Sequence, residues 1–245
     1  MTLSSAQAQL GRAAAPPDVG SKFYPDGRVH PFRGNTVICH LPQQGPDADG
    51  FEAFLDIYRD APRHQFTSRV TLLPPSSYHM TVFGGANDRP RQAKSWPADL
   101  SLDAPMDRCD ELVGSRLRSA KLPLSLPIKM RVDPAQSPSG ARPLTMGLLP
   151  YDDTERRKLA ALRQAIAAAT RIPLPEPDMY RFHVSIGYPV AWMTTAEENE
   201  LRRVFAGWAR DIAARAPVIR FGAPEYCIFN DMFAFERQFY LEGAA

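Results

Sequence analysis

The chain has 245 residues, of which 44% are hydrophobic and 23% charged, and its formal net charge is +2. These are the proportions of a globular protein with a sizeable core, and the length suits one bilobed domain better than two separate ones. So small a net charge excludes a protein that wraps nucleic acid or coats a membrane, and no strong duplex nucleic-acid binding is expected; an anionic partner must be held by a local site.

Residues 1–20 are rich in Ala, Ser, Pro and Gln and read as a disordered tail, which leaves residues 21–245 for the domain. The first residues lack the basic start and apolar stretch of a signal peptide. No run approaches the roughly 18 apolar residues of a membrane span, so no membrane partner is expected and the cytoplasm is the expected location. Pro25-Asp26-Gly27 marks a turn, and Thr36–Leu41 is a strand ended by Pro42. Phe51, Phe54, Leu55 and Tyr58 form one stripe of a helix over 51–59. Gln65–Leu73 reads as a strand, Pro74-Pro75-Ser76 breaks it, and an apolar strand follows until Gly84–Asp88 closes it with a loop. Residues 89–102, with Trp96, read as a polar surface segment. A helix over 103–117 and a hairpin of strands over 126–132 and 144–149 come next. Asp152 with Glu155 caps the clearest helix, over 152–171, and Thr195 with Glu198 opens another. The C-terminus reads as two strands, 218–229 and 232–241, around Asn230-Asp231. The pattern is α+β with antiparallel pairing. It holds no glycine-rich phosphate loop and no internal repeat.

Two stretches carry chemistry: Tyr78-His79-Met80-Thr81-Val82-Phe83 and Phe182-His183-Val184-Ser185-Ile186-Gly187. Each reads histidine, apolar, hydroxyl, apolar on a strand-like background. Period-two alternation places His79 with Thr81, and His183 with Ser185, on one face, with apolar residues on the other. Two such faces across a cleft supply a base, an acid and two hydroxyl donors, a working set for phosphoryl transfer. By the same alternation Arg181 looks into the cleft, where a guanidinium suits phosphate, and Phe83 is placed to stack on a base. Tyr78 and Tyr188 flank the motifs as nucleobase contacts, and Trp96 is a weaker one. His30, His40 and His64 show no metal-ligand spacing, so no metal or other cofactor is expected. Cys39, Cys109 and Cys227 are far apart and read as buried free thiols of a reducing compartment.

The spaced pair of motifs resembles the 2H phosphoesterase superfamily, which is named for two His-x-Thr/Ser motifs. The segments KFYPDGRVHPFRGNTVICHL and LPPSSYHMTVFGG resemble an uncharacterised, domain-of-unknown-function branch of it. The resemblance spans residues 21–241. It implies two similar lobes around a central cleft, each an antiparallel sheet with helices outside, and a phosphoester substrate that it does not name; a nucleotide or RNA-end phosphoester is the partner expected here. Characterised members are mostly cyclic phosphodiesterases and 2′-5′ RNA ligase-like enzymes. The expected activity is therefore metal-independent hydrolysis of a cyclic phosphodiester by two-histidine acid–base catalysis. The alternatives are a non-catalytic nucleotide- or RNA-binding domain on the same scaffold, and RNA end-joining. The sequence leaves open which histidine is the acid, and it leaves the oligomeric state open as well.

Overall fold

The computed structural model describes residues 13–174 and 180–243. Its strands are β1 (Gly34–His40), β2 (Val70–Leu72), β3 (His79–Asn87), β4 (Ile128–Val132), β5 (Leu144–Pro150), β6 (Phe182–Pro189), β7 (Ile219–Phe221), β8 (Glu225–Phe229) and β9 (Glu236–Tyr240). The helices are α1 (Asp49–Asp60), α2 (Met106–Ser119), α3 (Asp153–Thr170) and α4 (Thr195–Arg215). The strands lie in the order β7-β4-β5-β6-β3-β1-β8-β9, with β2 also paired to β6, and all pairings among them are antiparallel. This is the α+β class expected.

The two expected sheets are joined into one. The half β3-β1-β8-β9 meets the half β7-β4-β5-β6 where Met80 pairs with Val184, the register point between β3 and β6. That pairing sits in the middle of both His-x-hydroxyl motifs. Nor are the halves contiguous in sequence. The stretch expected as one strand over 218–229 splits at Gly222-Ala223-Pro224. Its first part, β7, pairs with β4, and its second, β8, crosses to pair with β1.

Other departures have local causes. Residues 65–69 form a 3₁₀ turn instead of a strand, because Glu200 of α4 accepts from the amides of Gln65 at 3.0 Å and Phe66 at 3.3 Å. Only Val70–Leu72 remain extended. The cap of α4 lies one residue earlier than expected. Thr194 Oγ1 accepts from Glu197 N at 3.2 Å, and Glu197 Oε2 accepts from Thr194 N at 2.7 Å, a reciprocal capping box. At α3 the expected cap forms: Asp152 Oδ1 accepts from Glu155 N at 2.9 Å, while the Glu155 carboxylate turns to the amide of Lys129 and ties the helix to β4. Trp96 is no surface residue; it is 1% exposed, its indole N–H donates to Ser101 O at 3.1 Å, and the Arg91 guanidinium lies over its ring.

Of the stretch expected to be a tail, residues 1–12 lie outside the described residues. Residues 13–20 form turns, and Asp18 O accepts from the amides of Lys22 and Phe23. The three cysteines are buried and unpaired with one another. Burial pushes the Cys109 thiol up to about 11 and the Cys227 thiol up to about 12. Among the described residues no helix is long and apolar enough to cross a membrane.

Candidate active site

Alternation alone does not account for where β3 and β6 aim their side chains, because each strand bulges just after its motif. Ile38 pairs with Thr81 and Val37 with Phe83, so Val82 is an extra residue in β3. Thr145 pairs with Ser185 and Leu144 with Gly187, so Ile186 is an extra residue in β6. A bulge shifts the face of everything beyond it by one residue. Past the first bulge Phe83 turns to the core, 2% exposed, and Gly84 takes its place on the cavity side. Past the second, Tyr188 takes the cavity side instead of Gly187.

The carbonyls around the first bulge are each taken by a side chain. Tyr180 Oη donates to Thr81 O at 3.1 Å, the Arg163 guanidinium to Val82 O, and Thr36 Oγ1 to Phe83 O at 3.1 Å. A second irregularity in β3, between the pairs Thr36–Gly84 and Gly34–Asn87, rests on Asn35. Asn35 Oδ1 accepts from Ala86 N at 3.0 Å, and its amide donates to Asp110 Oδ1 at 2.8 Å. A Cβ on Gly85 would stand 2.2 Å from Asn35 Oδ1, so only glycine fits there.

A cavity of about 240 Å³ lies over the seam and is lined by His79, Thr81, His183 and Ser185 together, with Lys22 and Tyr188 beside them. Continuing the Met80–Val184 register one step each way sets His79 opposite Ser185 and Thr81 opposite His183. Each histidine thus faces the other motif's hydroxyl.

The two imidazoles are held alike. His79 Nδ1–H donates to Ser77 O at 2.7 Å, and His183 Nδ1–H to Arg181 O at 2.8 Å, in both cases the carbonyl two residues upstream. A carbonyl only accepts, so Nδ1 carries the proton in the neutral ring and Nε2 is left as the free base. For His79 the carbonyl is delivered by an excursion of the chain. β2 and β3 follow the same edge of β6, and the Pro74-Pro75 break between them loops the chain out into a 3₁₀ turn ending at Ser77. The Phe235 ring packs edge-on against His79, with centroids 4.3 Å apart.

Burial lowers the His79 imidazole to about 4; His40 and His183 push the same way, and the Ser77 carbonyl and Glu225 oppose them. Burial also lowers His183, and the nearby Lys22 ammonium adds to that. Burial alone would lower Lys22, but Tyr188 and Asp18 outweigh it and hold the ammonium above its ordinary value. Its Nζ lies 2.9 Å from Asp18 Oδ1 and 5.0 Å from the centre of the Tyr188 ring. A residue from the expected tail therefore anchors the cation of the cavity.

Of the nine residues singled out in the sequence, five line this cavity: the two histidines, the two hydroxyl residues and Tyr188, while Trp96 is buried away from it. Phe83 does not, because of the bulge. Tyr78 does not, because it precedes His79 and points to the opposite face; it is 1% exposed and packs edge-on against Phe54 of α1. Arg181 lines a different cavity, since β6 begins only at Phe182 and alternation does not reach back to it. Lys22 escaped the sequence because it sits in a turn without periodicity, and Phe235 because the strand expected over 232–241 begins only at Glu236, which leaves Phe235 in the loop before it. Outside the site, His40 pairs with Glu225 at 3.1 Å and His64 with Asp60 at 3.0 Å, while His30 bonds the Pro31 carbonyl. No group of three metal-ligating side chains comes together among the described residues.

The family described as 2H-phosphodiest, a domain of unknown function (DUF1868), matches residues 22–140, a stretch that holds the first motif and ends before the second. No curated protein matches the sequence. Among solved structures the chain is similar to a conserved protein of unknown function, ATU0111, from Agrobacterium tumefaciens. The two are 28% identical, with a TM-score of 0.83 over 94% of this chain and 95% of that one. It also matches a structure titled as a phosphoesterase, at 9% identity and a TM-score of 0.46, over 88% of this chain and 100% of that one. The family match supports a scaffold of the 2H phosphoesterase kind.

Proposed function

We propose that this chain is a phosphoesterase of the 2H type that opens a cyclic phosphodiester, such as a 2′,3′-cyclic nucleotide or a cyclic-phosphate RNA end, to a monoester. The observation that carries the reading is the matched pair of Nδ1–carbonyl bonds, which leaves two free Nε2 atoms on one cavity with two hydroxyls.

The histidine environments favour His79 as the base. Its imidazole is held near 4 by burial, so it is neutral at working pH and its Nε2 takes a proton from the attacking water. His183 serves as the acid. In the free protein burial, with Lys22 adding to it, disfavours its charged form. A bound phosphate anion facing both Lys22 and His183 offsets the Lys22 charge and favours the imidazolium directly, so the proton is taken up as substrate binds. The water oxygen bonds to phosphorus, the phosphorus–ribose oxygen bond breaks, and the His183 Nε2 proton goes to the departing oxygen. Thr81 and Ser185 donate to the non-bridging oxygens, where charge builds up. Lys22 takes the phosphate-binding role that the sequence suggested for Arg181, and Tyr188 walls the cavity. The chain's own side chains supply every proton transfer in this scheme, and no metal enters it.

The test is turnover of 2′,3′-cyclic nucleotides and cyclic-phosphate-ended RNA in excess EDTA. Wild type is expected to turn over at least one of them, His79→Ala and His183→Ala each to lose on the order of a hundredfold or more, and Thr81→Ala or Ser185→Ala to lose less. Full activity in both histidine variants would sink the reading. Saturable nucleotide binding without turnover would establish the binding-domain alternative.

A further inference from the structure

A second cavity, about 680 Å³, lies between α3, the loop from β4 to β5 and the start of β6, and shares no lining residue with the histidine cavity. Arg156, Arg157, Arg163 and Arg181 line it, and Asp133 is the single carboxylate among the described lining residues. Arg156 is paired with Asp153 at 2.8 Å. Arg157 and Arg181 are exposed and have no salt bridge among the described residues.

Arg163 is the telling residue. It is 3% exposed and pairs with no carboxylate among the described residues. A buried charge without a counter-ion is costly. What offsets it here is the Val82 carbonyl, the Tyr180 hydroxyl, which accepts from the guanidinium, and the Tyr180 ring, whose centre lies 3.6 Å from the guanidinium carbon. A guanidinium has five N–H donors, and one carbonyl and one hydroxyl leave some of them for something else. The remaining wall is apolar and aromatic, with Leu148, Leu159 and Phe182 next to Tyr180. The volume falls in the range of pockets that enclose small organic ligands.

We propose that this cavity is a binding site for a nucleotide-sized organic phosphate, with its phosphate on the arginines and its planar ring against the apolar wall. The assignment does not depend on the histidine chemistry. It is tested by calorimetric titration of AMP, adenosine and inorganic phosphate into wild type, Lys22→Ala and Arg157→Ala/Arg181→Ala. Both arginines are exposed, so the double variant keeps its fold, which its melting temperature checks. Wild type and Lys22→Ala are expected to share an AMP site that the arginine pair weakens about tenfold or more, the scale of losing charged hydrogen bonds. Arg157→Lys/Arg181→Lys is expected to recover part of that loss, and adenosine and phosphate alone to bind at least about tenfold more weakly than AMP, since each makes only part of the contacts. AMP affinity unchanged in the alanine pair, binding lost only in Lys22→Ala, or no binding to wild type would each overturn the proposal.

Discussion

Lys22 shows how one side chain sets the chemistry of another. Burial lowers His183 and the Lys22 charge adds to that, while Asp18 and Tyr188 keep the charge in place. On the proposed mechanism kcat/KM needs His79 neutral and His183 protonated. The lower limb of the profile then lies near 4, and the upper limb falls below the ordinary histidine value of about 6.5. The optimum for kcat/KM is therefore expected on the acid side of neutrality. Lys22→Ala is expected to move the upper limb toward higher pH while raising KM, and a pH series of initial rates separates the two effects. Tyr78 makes the contrasting case. Its hydroxyl is buried without a hydrogen-bond partner. Tyr78→Phe removes an unsatisfied group and is expected to leave the urea midpoint unchanged or raised; a clear drop would mean that the hydroxyl is bonded. The histidine–hydroxyl pairs were legible because a strand repeats every two residues. Lys22 was not, because a loop residue has no period to reveal its direction.

At the scale of elements, the bulges separate what the pattern could give from what it could not. Alternation places His79 with Thr81 and His183 with Ser185, since each pair precedes its bulge. It fails at Phe83, Gly84 and Tyr188, which follow one. A bulge is set by the partner strand and by side chains far along the chain, here Thr36, Arg163 and Tyr180. None of these is visible in the local sequence. Asn35→Ala tests how far such support matters. It leaves the buried Ala86 amide and one oxygen of Asp110 without their partner, at an expected cost of about 1–3 kcal/mol. Urea unfolding measures that cost, and the turnover assay shows whether β3 keeps its aim. The reciprocal cap of α4 was legible as a motif and misplaced by one residue, because threonines at 194 and 195 compete for the role.

For the whole molecule, the buried histidines couple stability to pH. His79 titrates near 4 in the folded chain and near its ordinary value of about 6.5 when unfolded, so the unfolded chain binds more protons between those values. This contribution to stability is fully present above about 6.5, declines as the pH falls, and is gone below about 4. His183 acts in the same direction. His79→Gln is expected to flatten the fall in urea midpoint between pH 7 and 4.5 relative to wild type. Equal slopes would place the imidazole in a more water-like setting than its burial implies. At this scale the α+β class and antiparallel pairing could be read from the chain, whereas the joining of the halves depends on contacts between distant segments. β1 lies near the beginning and is flanked by β3 and by β8, near the other end. The half-sheet bearing His79 therefore stays open along β1 until the last part of the chain emerges from the ribosome, and the half bearing His183 likewise waits for β7. Both halves close late and nearly together, so nascent chains stopped short of β7 are expected to stay protease-sensitive even though they already carry both histidines.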